Sequence, residues 1–163
     1  MIQAYISDLV PVTMDEEGVV YTQLIICKHS SGLKFSIFDP RMLCKNDDID
    51  KDMRLDIRVP ISSSIEHSDK TEFIIKPFID GGGLINPTAD INGIIEDITW
   101  SYGTEGYPYA ILNVGIGTLK VMLDKIGEEN IFKDKSRLKI YKKGEYIFIK
   151  YGQFYLDRIV IKY

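Results

Sequence analysis

The residues able to do chemistry are few and poorly grouped. Cys27-x-His29, with Cys44 and His67 further along, supplies thiols and imidazoles. No Cys-x-x-Cys or His-x-x-x-His spacing turns them into a tetrahedral metal site, so a strand thiol and an exposed imidazole account for them. The run Asn46-Asp47-Asp48-Ile49-Asp50-Lys51-Asp52 has the carboxylates of a calcium loop. It lacks the central glycine and the bidentate glutamate that calcium geometry needs, and reads as a solvated loop whose acids cap a short helical turn. Ser62-Ser63-Ser64 lies near His67 without a Gly-x-Ser-x-Gly elbow, and Glu16-Glu17 and Glu128-Glu129 sit on turns. The sequence therefore predicts no enzyme, no metal and no cofactor.

Recognition chemistry is concentrated near the C-terminus. Between residues 139 and 163, Lys139, Lys142, Lys143, Lys150, Arg158 and Lys162 interleave with Tyr141, Tyr146, Phe148, Tyr151, Phe154, Tyr155 and Tyr163. Bases stack on strand aromatics while flanking cations meet phosphates, so this composition suits single-stranded DNA or RNA. The candidate contacts are Trp100, Tyr146, Phe148, Lys142, Lys143 and Lys150. Trp100 belongs to a second aromatic group with Tyr102, Tyr107 and Tyr109. Alternation puts Tyr146, Phe148 and Lys150 on one face of a strand and Ile147, Ile149 and Tyr151 on the other. An isoleucine core face leaves an aromatic platform outside; an aromatic core face removes it.

The elements that must position these residues are strands. Hydrophobic residues make up 45% of the 163 and charged residues 27%, the balance of a globular chain. No apolar run approaches the length of a membrane span, and no basic-then-apolar leader opens the chain, so no membrane is expected and the expected compartment is the cytoplasm. The free thiols fit that compartment. The net charge of −4 divides unevenly: residues 1–82 carry 9 Lys/Arg against 14 Asp/Glu, and residues 83–163 carry 11 against 10. The acidic whole repels phosphate backbones at long range, which counts against non-specific DNA binding but leaves the second half alone open.

The chain also resembles itself. Residues 4–9 align with 93–98, 21–26 with 109–114, 32–35 with 118–121 and 53–57 with 136–140, at offsets of 89, 88, 86 and 83. Shared Asp8/Asp97, Lys34/Lys120 and Arg54/Arg137 are polar matches that β-patterning does not demand. Between the copies, Gly81-Gly82-Gly83 and Asn86-Pro87 predict a linker over 81–90. Strands are predicted at 3–11, 20–28, 33–39, 53–61 and 71–79, and again at 92–101, 108–115, 118–124, 136–143, 145–150 and 153–162. Longer polar connections, 40–52 and 125–135, follow each third strand, the second with a helical turn over 126–132.

Three strands, a short helix or loop, then two strands resembles the OB-fold, a small Greek-key barrel. The expected architecture is all-β: a first OB-like barrel at 1–80, the linker, and a second five- to six-stranded barrel at 91–163. Arg54-x-x-x-Arg58 resembles the arginine pair of cyclic-dinucleotide-binding PilZ barrels, but the Asp/Asn-x-Ser-x-x-Gly element of that family is missing. On a strand, Arg54, Asp56 and Arg58 make an outward polar face over inward Leu55, Ile57 and Val59. The resulting expectation is a non-enzymatic binding or assembly module with a protein partner on the acidic half. Single-stranded nucleic acid binding by the second half is the alternative, and a PilZ-like nucleotide sensor comes third.

Overall fold

A computed structural model describes residues 1–60, 64–99, 109–123 and 141–162. They form strands β1 (Ile2–Met14), β2 (Val20–Lys28), β3 (Lys34–Asp39), β4 (Asp52–Val59), β5 (Ser64–His67), β6 (Ile74–Ile79), β7 (Ile85–Thr99), β8 (Tyr109–Asn113), β9 (Thr118–Met122), β10 (Tyr146–Gln153) and β11 (Tyr155–Lys162). One 3₁₀ turn, Asn46–Asp48, lies in the polar connection after β3, where Asp48 accepts the Lys45 N–H at 2.9 Å as an acidic cap. The helical turn expected over 126–132 and most of the strand expected over 136–143 lie outside the described residues.

Five strands close a barrel in the order β1-β2-β3-β11-β4, with β4 returning to β1. The β1–β2, β2–β3, β11–β4 and β4–β1 pairs are antiparallel, and β3 meets β11 in parallel at Phe38 and Tyr155. Alternation fills the interior with Ile2, Ala4, Ile6, Ile25, Cys27, Phe35, Ile37, Met53, Leu55 and Ile57, each at most 1% exposed. Burial of each large aliphatic contributes roughly 1.5–3 kcal/mol, which offsets the ordering of so many extended residues. Phe154 enters from the second half and meets Phe35 edge-on at 6.1 Å. Arg54, Asp56 and Arg58 point away from this core, as the alternation predicts.

Two expectations change here. The barrel is not confined to residues 1–80, because its closing strand, β11, comes from residues 155–162. An unpaired β4 edge accepts any strand of matching pattern, and nothing local requires that strand to be the next one in sequence. Gly81–Gly83 are the turn of the β6–β7 hairpin, not a linker. Asp80 donates to the Leu84 carbonyl and its side chain accepts the Gly82 and Leu84 N–H groups, while Gly83 takes φ +84°. Residues 85–90 open β7, with Pro87 accommodated inside it.

In the second half β7, β8 and β9 form an antiparallel meander, and β6 and β10 flank β7. β10 also carries β5, and the end of β4 runs parallel to β9 at Arg58–Lys120 and Val59–Val121. The result is one continuous sheet in which core residues from both halves touch.

The pairings of the two halves repeat in register. Ile2–Leu55 and Tyr5–Asp52 on β1–β4 correspond to Ile91–Ile149 and Ile94–Tyr146 on β7–β10. Ile6–Cys27 and Asp8–Ile26 correspond to Ile95–Leu112 and Asp97–Ile111, with a bulge at the same step. Leu24–Phe38 and Lys28–Lys34 correspond to Tyr109–Met122 and Asn113–Thr118. The first offset is the 89 found in the sequence; the next two are 85 and 84, and β4 corresponds to β10 at 94. The changes from 88 to 85 and from 83 to 94 are odd and would invert a strictly alternating strand. Runs apolar at consecutive positions, such as Leu24-Ile25-Ile26 and Ile111-Leu112, let the sequence align in the wrong phase.

Candidate ligand-binding face

On β10, Ile147 and Ile149 are fully buried in the core. Their neighbours Tyr146 and Phe148 are therefore half-buried on the outside, beside exposed Lys150. Lys142 and Lys143 are exposed in the turn that leads into the strand, where Gly144 adopts φ +88° and the Glu145 carboxylate accepts the Lys142 N–H at 3.0 Å. The structure thus places Tyr146, Phe148 and Lys150 on one face, with Lys142 and Lys143 at its head. Trp100, Tyr102 and Tyr107 lie outside the described residues, and Tyr109 opens β8.

Further aromatics join this face. Across β7, Asn92 pairs with Phe148 and is buried; its amide donates to the carbonyls of Lys70 at 3.1 Å and Glu72 at 2.7 Å. Those bonds hold residues 70–72 against the sheet, and Phe73 follows with its ring 6.2 Å from that of Tyr146. The Ser68 N–H donates to the Tyr146 carbonyl, leaving a cleft of about 320 Å³ lined by Glu66, His67, Ser68, Asp69, Lys70 and Phe148.

At the other end β10 bulges between Ile149 and Gly152. Tyr151 sits in the bulge with φ +57°, a left-handed conformation costing a bulky residue roughly 1–2 kcal/mol. It is 56% exposed, packs against Phe78 at 5.1 Å, and has the Lys150 ammonium 5.2 Å from its ring centre. A bulge re-aims a side chain. Here it adds Tyr151 to the outer face that strict alternation would deny it. Phe73 and Phe78 escaped the sequence reading, and alternation assigned Tyr151 to the face of Ile147 and Ile149; Gly152, inside a strand pattern, was the available signal for a bulge.

Two other surfaces carry unusual side chains. The β1–β2 hairpin ends in exposed Val12 (53%), Met14 (58%), Val19 (49%) and Tyr21 (55%) around an acidic turn. Asp15 accepts the Glu17 and Val19 N–H groups and the Tyr21 hydroxyl, and the Val19 N–H above all holds its carboxyl below the usual range. On β4, Asp56 is nearly buried between the Lys120 ammonium at 3.0 Å and the Arg158 guanidinium at 3.1 Å, and Lys120 also reaches Asp157 at 2.7 Å. The outward polar strand face predicted from sequence is thus an ion-pair network joining the halves.

Several of the groups considered for chemistry are occupied structurally, while Ser62, Ser63, Glu128 and Glu129 lie outside the described residues. Cys27 and Cys44 are free, buried thiols, and His29 Nδ1 lies 2.9 Å from the Ser31 hydroxyl. Asp48 receives Lys162 at 2.7 Å and Asp50 receives the Tyr5 hydroxyl at 2.6 Å. Among the described residues, no three His, Cys, Asp or Glu side chains are grouped to hold a metal, and no helix is long and apolar enough to cross a membrane. No protein-family model matches the chain, and neither any curated protein nor any solved structure shows significant similarity to it.

Proposed function

We propose that this chain is a non-enzymatic binding module built from two OB-like units related by duplication, and that the second unit binds single-stranded nucleic acid along the outer face of β10. Support for the duplication comes from the repeated registers of β1–β4 and β7–β10 and from the shared bulge after Ile6 and Ile95. Support for an OB-like unit comes from the first ring, in which a three-strand meander, a short turn and a fourth strand are closed by a fifth parallel to the third.

The observation that carries the ligand assignment is the orientation of β10, isoleucines inward and Tyr146, Phe148 and Lys150 outward. At the corresponding places β4 has Asp52, Arg54 and Asp56. Two of these positions are charged in the first unit and aromatic in the second, and the third exchanges an acid for a lysine; stacking on bases needs aromatics of this kind beside a cation. Anisotropy of a labelled single-stranded oligonucleotide tests the reading. Binding tighter than about micromolar near 50 mM salt, weakening as salt rises, is expected; a flat titration would sink it.

A protein partner on the first unit is a second reading, favoured by the exposed apolar tip of the β1–β2 hairpin. Replacing Val12 and Met14 by serine abolishes association under that reading and leaves oligonucleotide binding intact.

A further inference from the structure

We infer that the two halves exchange their fifth strands reciprocally, so that each half is the other's obligate binding partner. At the end of β4 the chain enters the second half: Arg58 and Val59 run parallel to β9, and β5 then pairs antiparallel with β10. After β10 it returns to the first half: Tyr155 meets β3 in parallel, and β11 pairs antiparallel with β4.

The two crossings open in the same register. On β4–β11 the partners include Asp56–Arg158 and Leu55–Ile159; on β10–β5 they are Lys150–Ser64 and Ile149–Ile65. Every residue of these two pairs is related by 94 positions; beyond them β11 bulges between Ile159 and Ile161, so that Phe148–Glu66 and Ile147–His67 stand one residue out from Arg54–Ile161 and Met53–Lys162. The entries to the two fourth strands match as well. Asp50 donates to the Ile6 carbonyl at 2.9 Å and takes φ +65°; Gly144 donates to the Ile95 carbonyl at 2.8 Å and takes φ +88°. The return bonds, Ile6 N–H to Lys51 and Ile95 N–H to Glu145, are both 2.9 Å.

A pair of independent tandem barrels would keep β5 beside β4 and β11 beside β10. Here the open edge of each four-strand set fits a strand from a second copy of the same unit, as in a strand-swapped dimer whose chains have been fused. The Asp56 network has a direct part in this, since its cations Lys120 and Arg158 come from the other half. The inference rests on the duplication put forward above and is independent of the nucleic-acid reading.

The test uses the intact chain with a protease site inserted at the Gly81–Gly83 turn, cut after folding. Reciprocal exchange predicts that the two fragments co-elute at the mass of the uncut protein and separate only in denaturant. Fragments that separate while the first still protects Cys27 from a thiol reagent overturn it. Hydrogen exchange on uncut variants supplies the second arm. Leu156→Ala should speed exchange in β3 and β4, and Ile65→Ala in β10, each by at least about tenfold. If Ile65→Ala loosens only β1–β4, there is no reciprocity, although the first ring would still be closed by β11. That outcome overturns the exchange, whereas a failure of the duplication alone would leave the cut fragments together and the crossed effects in place without matching magnitudes.

Discussion

Asp56 of β4 and Lys120 of β9 meet at 3.0 Å although they belong to different halves of the chain. The carboxylate is 6% exposed and the lysine 24%, so the pair is only partly screened by water. Removing one member strands the other's charge. Lys120→Met should therefore destabilise the protein by about 3 kcal/mol, while Arg158→Met, at a more exposed side chain, should cost less than about 1. Urea midpoints of the two variants make the comparison.

The same network sets a pH dependence. Burial would raise the Asp157 carboxyl, but the hydrogen bond and charge of Lys120, with Arg58 and Arg41, hold it below its usual 3.8. Burial also works against Asp48, and the Lys162 hydrogen bond again wins and lowers it. Both contributions are present above pH 3.8 and are lost as pH falls through the lowered values. Lys120 is opposed by burial but raised by Asp157 and Asp56, so its contribution persists below pH 10.5 and fades above it. Denaturation followed from pH 2 to 6 should show a steep acid limb in the parent protein and a shallower one in Lys120→Met.

Cys27 and Cys44 report on the first ring. Burial pushes the Cys27 thiol far up, with Cys44 adding to it, and pushes Cys44 up to about 11, aided by Asp48 and Asp39. Native protein at pH 8 should react with a thiol reagent only through opening, at a rate following stability. Rapid modification of Cys27 without unfolding would contradict its placement in the core.

The outer face of β10 should separate binding from stability. Tyr146→Ala and Phe148→Ala should each weaken oligonucleotide binding by about 1–3 kcal/mol, judged by anisotropy. Tyr151→Gly relieves a left-handed backbone at φ +57° at the cost of extra freedom in the unfolded chain. Its stability should stay within about 1 kcal/mol of the parent while affinity falls.

Gly93 of β7 pairs with Ile147 as Ala4 of β1 pairs with Met53, and a Cβ at Gly93 would collide with the Asn113 carbonyl oxygen and crowd Leu112 and Val114. Gly93→Ala should cost about 1–3 kcal/mol, against less than that for Ala4→Gly. Thermal melts of the two variants would show whether β7 is more tightly packed at Gly93 than β1 is at Ala4.

The sequence by itself determined what is local. Period-2 patterning marked β2, β3 and most of β1, β4 and β11 within a few residues, and polar Lys142–Glu145 marked the turn before β10. Leu55 and Ile57 inward with Arg54 and Asp56 outward followed from alternation alone. Only the tertiary structure decided which strands meet. A strand edge offers the same ladder of N–H and C=O groups to any partner, so nothing near residue 155 says that β11 closes a ring with β3 and β4. Nor could the pattern Tyr-Ile-Phe-Ile choose a core face, because both faces of β10 are apolar enough to bury. The register with the neighbouring β7 decides it: Ile149 lies beside buried Ile91 and Ile147 beside Gly93 on the inner side, which puts Tyr146 and Phe148 outside.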